Sequence, residues 1–600
     1  MKVAVIGGGP SGLVTLKYLL RAHLSLDCEP IEARLFELED SVGGAFANRT
    51  YEDAELVSSK QLTTFSDFRC RVDRDFLSAS DYVQYLRDYC SYFRLWPSIE
   101  LRTNVRCVRT HCSHGYMIEY DKKSSELFRW RCDAVAVCAG LHREPNLPII
   151  PGLNYVPEVM HSSNFKTRSQ FGINKTVMII GSGETGADIA YLARNPGPTL
   201  LPILGRKPNP NEPGIPIDVS RANLFDTTYV HQALRNSMIL WEYYNYYIKA
   251  LLWLSSGTTS GMDQWVGEIS QARHHPSRIF FNKSMKVCPY LSLPYRPRQP
   301  GPTLWLYALR SAFVQTPILN THGKQVDLAP LPKSIDDRGV VEFVDNGRPE
   351  YDQLKSRTVQ PDVIVLCTGY QQTFSFLDNA HKISTHNLSS YVRGIWRRDE
   401  PAVGFIGFVR PSLGAIPPLA EMQAQLWVLN LVEPRKLPNL KAEDETHYKL
   451  QSKYDDRVTY GVDHESYAYQ LALDMNSAPG IVDIWRITQK ISITSGYRLW
   501  IIWAFGAHFN TKFRLNGPWA WKGATEALVS EEIWRTITRR PVLFGSRGVE
   551  LNAFGSKSRP IMERLVHHRV HCEFTAEFTA EFTAEFTAKF TFLYGIALVH

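Results

Sequence analysis

Short apolar runs that lead into a glycine turn and then into helical spacing occur twice in this chain. Residues 3–6 form an apolar run, Gly7 to Gly12 a glycine turn, and residues 13–22 carry apolar side chains at helical spacing. Residues 34–38 then read as a second strand. This strand–helix–strand order opens a dinucleotide-binding fold. The pattern returns downstream: strand at 176–180, glycine turn from Gly181 to Gly186, helix at 187–194, strand at 200–204. Two further apolar runs, Ala134–Val137 and Val363–Leu366, end in Cys-Ala-Gly and Cys-Thr-Gly-Tyr. Small residues at a strand end let the backbone approach a ligand. Their likeness marks two junctions where the chain crosses between domains.

The predicted fold class is α/β, with two Rossmann-like dinucleotide-binding domains, one inserted into the other, and a helical C-terminal region. The outer domain takes residues 1–165 and 331–440, and the inserted one takes 166–330. Residues 441–545 read as helical and Trp-rich, and 546–600 as a low-complexity tail. Four copies of Glu-Phe-Thr-Ala fill 573–588. As a strand they put Phe and Ala on one face, a β-prone pattern.

Composition narrows the class. At 600 residues the chain exceeds one ordinary core. Its 44% apolar and 21% charged content is that of a soluble globular protein. The net charge of +7 comes without a dense basic run, so anionic cofactors suffice as partners and nucleic acid is not called for. Ten cysteines lie scattered without a CxxC pair or metal-ligand spacing, which suits buried, reduced thiols. No apolar window approaches the roughly 18 residues of a spanning helix. The nearest, 239–254, is broken by Glu242, Asn245 and Lys249, and 497–505 is too short. With no secretory signal ahead of the first glycine turn, the expected location is cytoplasmic. Peripheral membrane contact and a homodimer stay open. The Tyr- and Trp-rich stretch 223–256 is expected to govern substrate access or to pack as a helical excursion.

The first glycine turn is Gly7-Gly8-Gly9-Pro10-Ser11-Gly12. Gly7 permits the tight turn, Gly9 lets the backbone reach a pyrophosphate, and Gly12 lets helix pack on strand. The helix N-terminus then offers unpaired N–H groups to phosphates. Glu37 ends the second strand and can accept from ribose hydroxyls, which suits FAD or NAD. The second turn is Gly181-Ser182-Gly183-Glu184-Thr185-Gly186, and the strand after it leads to Arg206-Lys207. A basic pair there neutralises a 2′-phosphate, so this site prefers NADPH. Together the sites imply a flavin, as FAD, reduced by NADPH.

At these motifs the chain resembles the flavin-containing monooxygenase family, dimethylaniline monooxygenases among them. The family's fingerprint before its second glycine turn is matched by Tyr155, His161, Phe165 and Lys166, with Pro157 where the family has Gly. Similar stretches include Gly43-Gly44, Ser58-Ser59-Lys60, Phe65-Ser66-Asp67-Phe68, Cys367-Thr368-Gly369-Tyr370, Glu421-Met422-Gln423-Ala424 and Phe513-Arg514-Leu515-Asn516. The resemblance covers about residues 1–545; the family's membrane-anchoring C-terminal helix has no counterpart in it. It implies that Gly43, Gly44, Val57, Ser58 and Gln423 join Gly7 to Gly12 and Glu37 at FAD. It also implies that Gly181 to Gly186 and Arg206 hold NADPH, and that His161 organises the domain junction. The implied chemistry is oxygenation of a soft nucleophile, amine N or S, of a small molecule by O₂ through a flavin hydroperoxide; a secondary-metabolite intermediate fits. The cofactor does the hard step, so no catalytic triad is expected; Ser58, Ser59 and His161 are the candidates for any catalytic part. Val57 stands where many family members have an Asn that bonds near the flavin.

Two alternatives remain open. A Baeyer–Villiger monooxygenase acting on a ketone carries similar motifs. A pyridine nucleotide–disulfide reductase also has two nucleotide domains but needs a close cysteine pair, which this sequence lacks.

Overall fold

Lys2–Ile6 (β1) exposes Lys2 and buries the next four residues, as befits a parallel strand covered on both faces. It lies between Glu32–Phe36 (β2) and Ala134–Val137 (β4), parallel to both. Ile99–Glu100 (β3) extends the sheet beyond β2. On the other side β4 pairs in parallel with Glu400–Phe405 (β10). The antiparallel pieces Trp396–Arg397 (β9) and Tyr391–Val392 (β8) close that edge. The helix Pro10–Leu20 (α1) connects β1 to β2 and packs on the long helix Ile416–Val432 (α5).

A second, parallel sheet is built from Glu158–His161 (β5), Val177–Ile180 (β6) and Val363–Leu366 (β7), in the order β6-β7-β5. The helix Glu184–Arg194 (α4) follows β6. This pairing departs from the expected domain limits. Boundaries at 165/166 and 330/331 put β5 and β7 with the first sheet, whereas both pair within the second. Apolar periodicity identifies a strand but carries no information on its partner. A separate antiparallel layer, Thr103–Thr110, Tyr116–Lys122 and Ser124–Cys132, packs beside the first sheet.

This computed structural model describes residues 1–111, 115–122, 124–194, 257–258, 260–261, 281–296, 321–377, 391–411, 414–437, 448–449 and 461–538. The chain divides into two compact units, Met1–Phe544 and Gly545–His600. The second unit, with the Glu-Phe-Thr-Ala repeats, lies outside the described residues, as do the strand at 200–204, Arg206 and the stretch 223–256. Beyond the short strand Gly461–Val462 the described chain is helical, with His464–Asp474 (α6), Ile481–Thr488 (α7) and Ile493–Phe505 (α8). Among the described residues no helix is long and apolar enough to cross a membrane.

Candidate functional site

The two glycine turns are built on one plan. Gly7 has φ +111° and Gly181 φ +122°, conformations open to glycine. A Cβ on Gly7 would stand 2.6 Å from the Cys138 carbonyl oxygen, and one on Gly181 2.2 Å from that of Cys367. Gly12 and Gly186 are equally closed: a Cβ would lie 1.8 Å from the Gly7 oxygen and 2.0 Å from the Gly181 oxygen. The first helical bond runs from Leu13 N–H to Gly9 O in one turn and from Ala187 N–H to Gly183 O in the other, each at 3.0 Å. In each case a strand end, a glycine turn and a helix N-terminus form a cradle where backbone N–H groups can meet phosphate. The strands ending in Cys138 and Cys367 form the wall. Burial pushes both thiols up to about 12, so they serve as small packing groups.

Glu37 shapes the first cradle. It is buried, its Oε2 accepts from Gly8 N–H, and its Oε1 accepts from Glu39 N–H at 2.8 Å. Burial pushes its carboxyl above the usual carboxylate value, opposed by those bonds. Each oxygen keeps a second lone pair, so a ribose hydroxyl can still be accepted. Gly43 and Gly44 back this turn: Gly43 N–H donates to Gly8 O at 2.9 Å, and a Cβ on Gly44 would meet Gly9 Cα at 3.0 Å. Pro10 occupies the first turn of α1, where its missing N–H costs nothing.

Ser11 is buried against Gly407, where an added Cβ would stand 2.2 Å from Ser11 Oγ. Gln423 holds that loop. Its Oε1 accepts from Gly407 N–H at 2.8 Å, and its Nε2 donates to Tyr467 Oη, also at 2.8 Å. Gln423 is buried and acts on the cradle through Gly407. Ser58 Oγ bonds Thr63 Oγ1 at 2.8 Å, Ser59 precedes the short helix Lys60–Thr63 (α3), and Val57 is half-buried.

His161 ends β5, opposite Leu366 at the end of β7. Its Nδ1 accepts from Ser163 N–H at 3.1 Å and its Nε2 donates to Gly369 O at 3.0 Å. Both partners suit a neutral ring. Burial holds its pKa below the ordinary imidazole value, and the charge of Arg49 adds to the shift. Tyr370 meets the ring edge-on at 5.2 Å. Ser182, Glu184 and Thr185 complete the second turn into α4. Arg206 falls outside the described residues.

One cluster escaped the sequence reading. Lys17 on α1 pairs with Asp67 at 2.6 Å. Arg514 Nη1 donates to Tyr18 Oη and Ser66 Oγ and lies 3.3 Å from Asp67 and 3.6 Å from Glu421. Glu421 also accepts from Ser66 N–H at 2.9 Å and Asn510 Nδ2 at 2.8 Å. Two cations and two carboxylates are thus buried as a balanced set joining α1, the 66–67 turn, α5 and the C-terminal segment. Resemblance had marked 65–68, 421–424 and 513–516, but only the fold brings them together. Among the described residues the cysteines are unpaired, and no two are bonded as a disulfide reductase requires.

A family model described as flavin-binding monooxygenase-like matches residues 1–200 and 342–547. The chain is 47% identical over 582 residues to monooxygenase cfoE of Aspergillus candidus, covering 93% of this chain and 97% of that one. It is 46% identical over 565 residues to monooxygenase ptmN of Penicillium ochrochloron, covering 90% of each. It is 24% identical over 568 residues to the N-oxide-forming dimethylaniline monooxygenase 2 of Mus musculus, covering 88% of this chain and 91% of that protein.

Proposed function

Because the chain belongs to the flavin-binding monooxygenase-like family, we propose that it uses FAD, NADPH and O₂ to oxygenate an amine nitrogen or a sulfur of a small organic molecule. The observation that supports this reading is the pair of cradles of one design, each walled by a strand ending in Cys138 or Cys367. Two dinucleotides in one chain are what an enzyme needs if one cofactor reduces the other.

When bound, the flavin supplies two-electron reduction by NADPH and the activation of O₂. The chain's own residues bind and orient. Gly7 to Gly12 and the N-terminus of α1 receive the FAD pyrophosphate, and Glu37 accepts from its ribose. Gly43, Gly44 and, through Gly407, Gln423 keep that turn in shape. Gly181 to Gly186 and α4 receive the NADPH pyrophosphate, and Arg206 its 2′-phosphate. His161 ties the two strand ends at Gly369. The Val57 side chain carries no hydrogen-bond donor, and Ser58 Oγ is engaged with Thr63, so water exclusion there rests on packing.

The test is turnover of FAD-loaded protein with NADPH under oxygen-18 gas on a tertiary amine, a thioether and a cyclic ketone. An N-oxide or S-oxide carrying one heavy oxygen supports the reading. A lactone from the ketone replaces it with Baeyer–Villiger chemistry. Protein that stays colourless after FAD is added removes it altogether.

A further inference from the structure

Residues 43–53 run directly from one cradle to the other. At their start, Gly43 and Gly44 abut Gly8 and Gly9. A short helix, Ala45–Asn48 (α2), follows. Beyond it the segment is fastened to the chain that leads out of β5. Lys166 Nζ donates to the carbonyls of Asn48 at 2.8 Å and Thr50 at 3.2 Å, and Glu52 N–H donates to Lys166 O at 2.8 Å. Arg168 pairs with Asp53 at 2.7 Å and with Glu52 at 3.5 Å.

Between these fastenings Tyr51 leaves the first domain. Its ring packs with Phe165 among the apolar residues under the second sheet. Its hydroxyl donates to Asp188 Oδ2 at 2.7 Å. Asp188 is buried, 4% exposed, on α4, two residues beyond Gly186. A buried carboxylate is costly unless hydrogen-bonded. That bond sets a hydroxyl delivered from the first cradle against the helix that frames the second.

We infer that Tyr51 and Asp188 form a clasp that sets the second cradle against the first, making Tyr51 a positioning residue for hydride transfer. This rests on the reading of the two cradles as FAD and NADPH sites. In the step concerned, a hydride leaves NADPH, giving NADP⁺, and arrives on the flavin, which is thereby reduced by two electrons. Tyr51 would act through Asp188 on α4, by holding the second cradle against the first.

The experiment is anaerobic stopped-flow bleaching of FAD-loaded protein at a series of NADPH concentrations, for the unsubstituted chain, Tyr51→Phe, Asp188→Ala, the double variant and Asp188→Asn. Misplaced reacting groups lose rate steeply, so Tyr51→Phe should lower the limiting bleaching rate about tenfold at unchanged FAD content. Asp188→Asn should stay within about twofold, because the amide oxygen still accepts from Tyr51. The double variant should be no slower than the slower single, since both remove one contact. An unchanged limiting rate in Tyr51→Phe overturns the clasp, and so do additive losses in the double variant. An Asp188→Asn rate as low as that of Tyr51→Phe also overturns it, since charge and not the bond would then matter. If the unsubstituted protein binds FAD but NADPH does not bleach it, the underlying two-cofactor reading fails, and the clasp with it.

Discussion

Gly12 and Gly186 are separated along the chain by an entire domain segment, yet each lies under 2.1 Å, measured from an added Cβ, from the carbonyl oxygen of the first glycine in its own turn: 1.8 Å at Gly7 and 2.0 Å at Gly181. Neither turn has room for a methyl group. Because the obstacle is backbone, it cannot swing aside as a side chain would.

The two positions therefore separate the cofactors. Overpacking of about 1–3 kcal/mol corresponds to a loss of occupancy of roughly 5- to 150-fold, about tenfold near its lower end. Gly12→Ala should purify with FAD content reduced by at least that factor. Gly186→Ala should remain yellow but require about tenfold or more NADPH for half-maximal bleaching. Flavin absorbance after gel filtration and an NADPH titration distinguish the two.

Replacement of His161 should act at the junction. His161→Ala leaves Gly369 O and Ser163 N–H without their partner, a loss of about 1–3 kcal/mol for buried polar groups. The NADPH KM should rise about tenfold, with FAD content unchanged. His161→Asn, which can still donate and accept, should recover part of the loss in the same assay.

Arg514 is held charged by Asp67 and Glu421, against the cost of burial. Arg514→Met removes one cation from a balanced buried set and should destabilise the fold by about 3–5 kcal/mol. Arg514→Lys should rescue little, since a point charge cannot reach Tyr18, Ser66 and the Trp519 carbonyl together. Urea denaturation followed by tryptophan fluorescence measures both.

His464 and Glu465 make the stability depend on pH in the acid range. Burial pushes His464 down to about 4. Between that value and the ordinary imidazole value, the unfolded chain binds protons that the native chain refuses. Its contribution is complete above about pH 6.5 and is lost as pH falls toward 4, on the order of 1–2 kcal/mol by pH 5. Glu465, raised to about 7 by burial, has the opposite sign: its contribution is present below the ordinary carboxylate value and is lost as pH rises from there through 7. The two act in opposite directions over nearly the same range, so His464→Phe should raise the thermal midpoint at pH 5 relative to that at pH 7.

Much of this was legible in the residues. Both glycine turns, their strands and helices, and the Cys-ended walls follow from local spacing, because turn, strand end and helix start are contiguous in sequence. Glu37 was legible as the acid after the second strand, but not as the acceptor of Gly8 N–H, since that bond spans 29 positions. Lys17, Asp67, Glu421 and Arg514 are dispersed over nearly the whole described chain, and each looks like an ordinary surface charge in its own window. The partners of β7 were not legible for the same reason: periodicity gives a strand its faces and leaves its neighbours unspecified, and residues 158–161 read only as part of a fingerprint.

The pairing of β6 with β7 has a consequence for how the protein is made. β7 leaves the ribosome about 180 residues after β6. At synthesis rates of about 5–20 residues per second, β6 waits on the order of 10–40 s with the side that β7 will cover still open. A nascent strand edge open for that long is a template for wrong partners. The demand for chaperone protection during translation should therefore be concentrated between the emergence of residue 180 and that of residue 366.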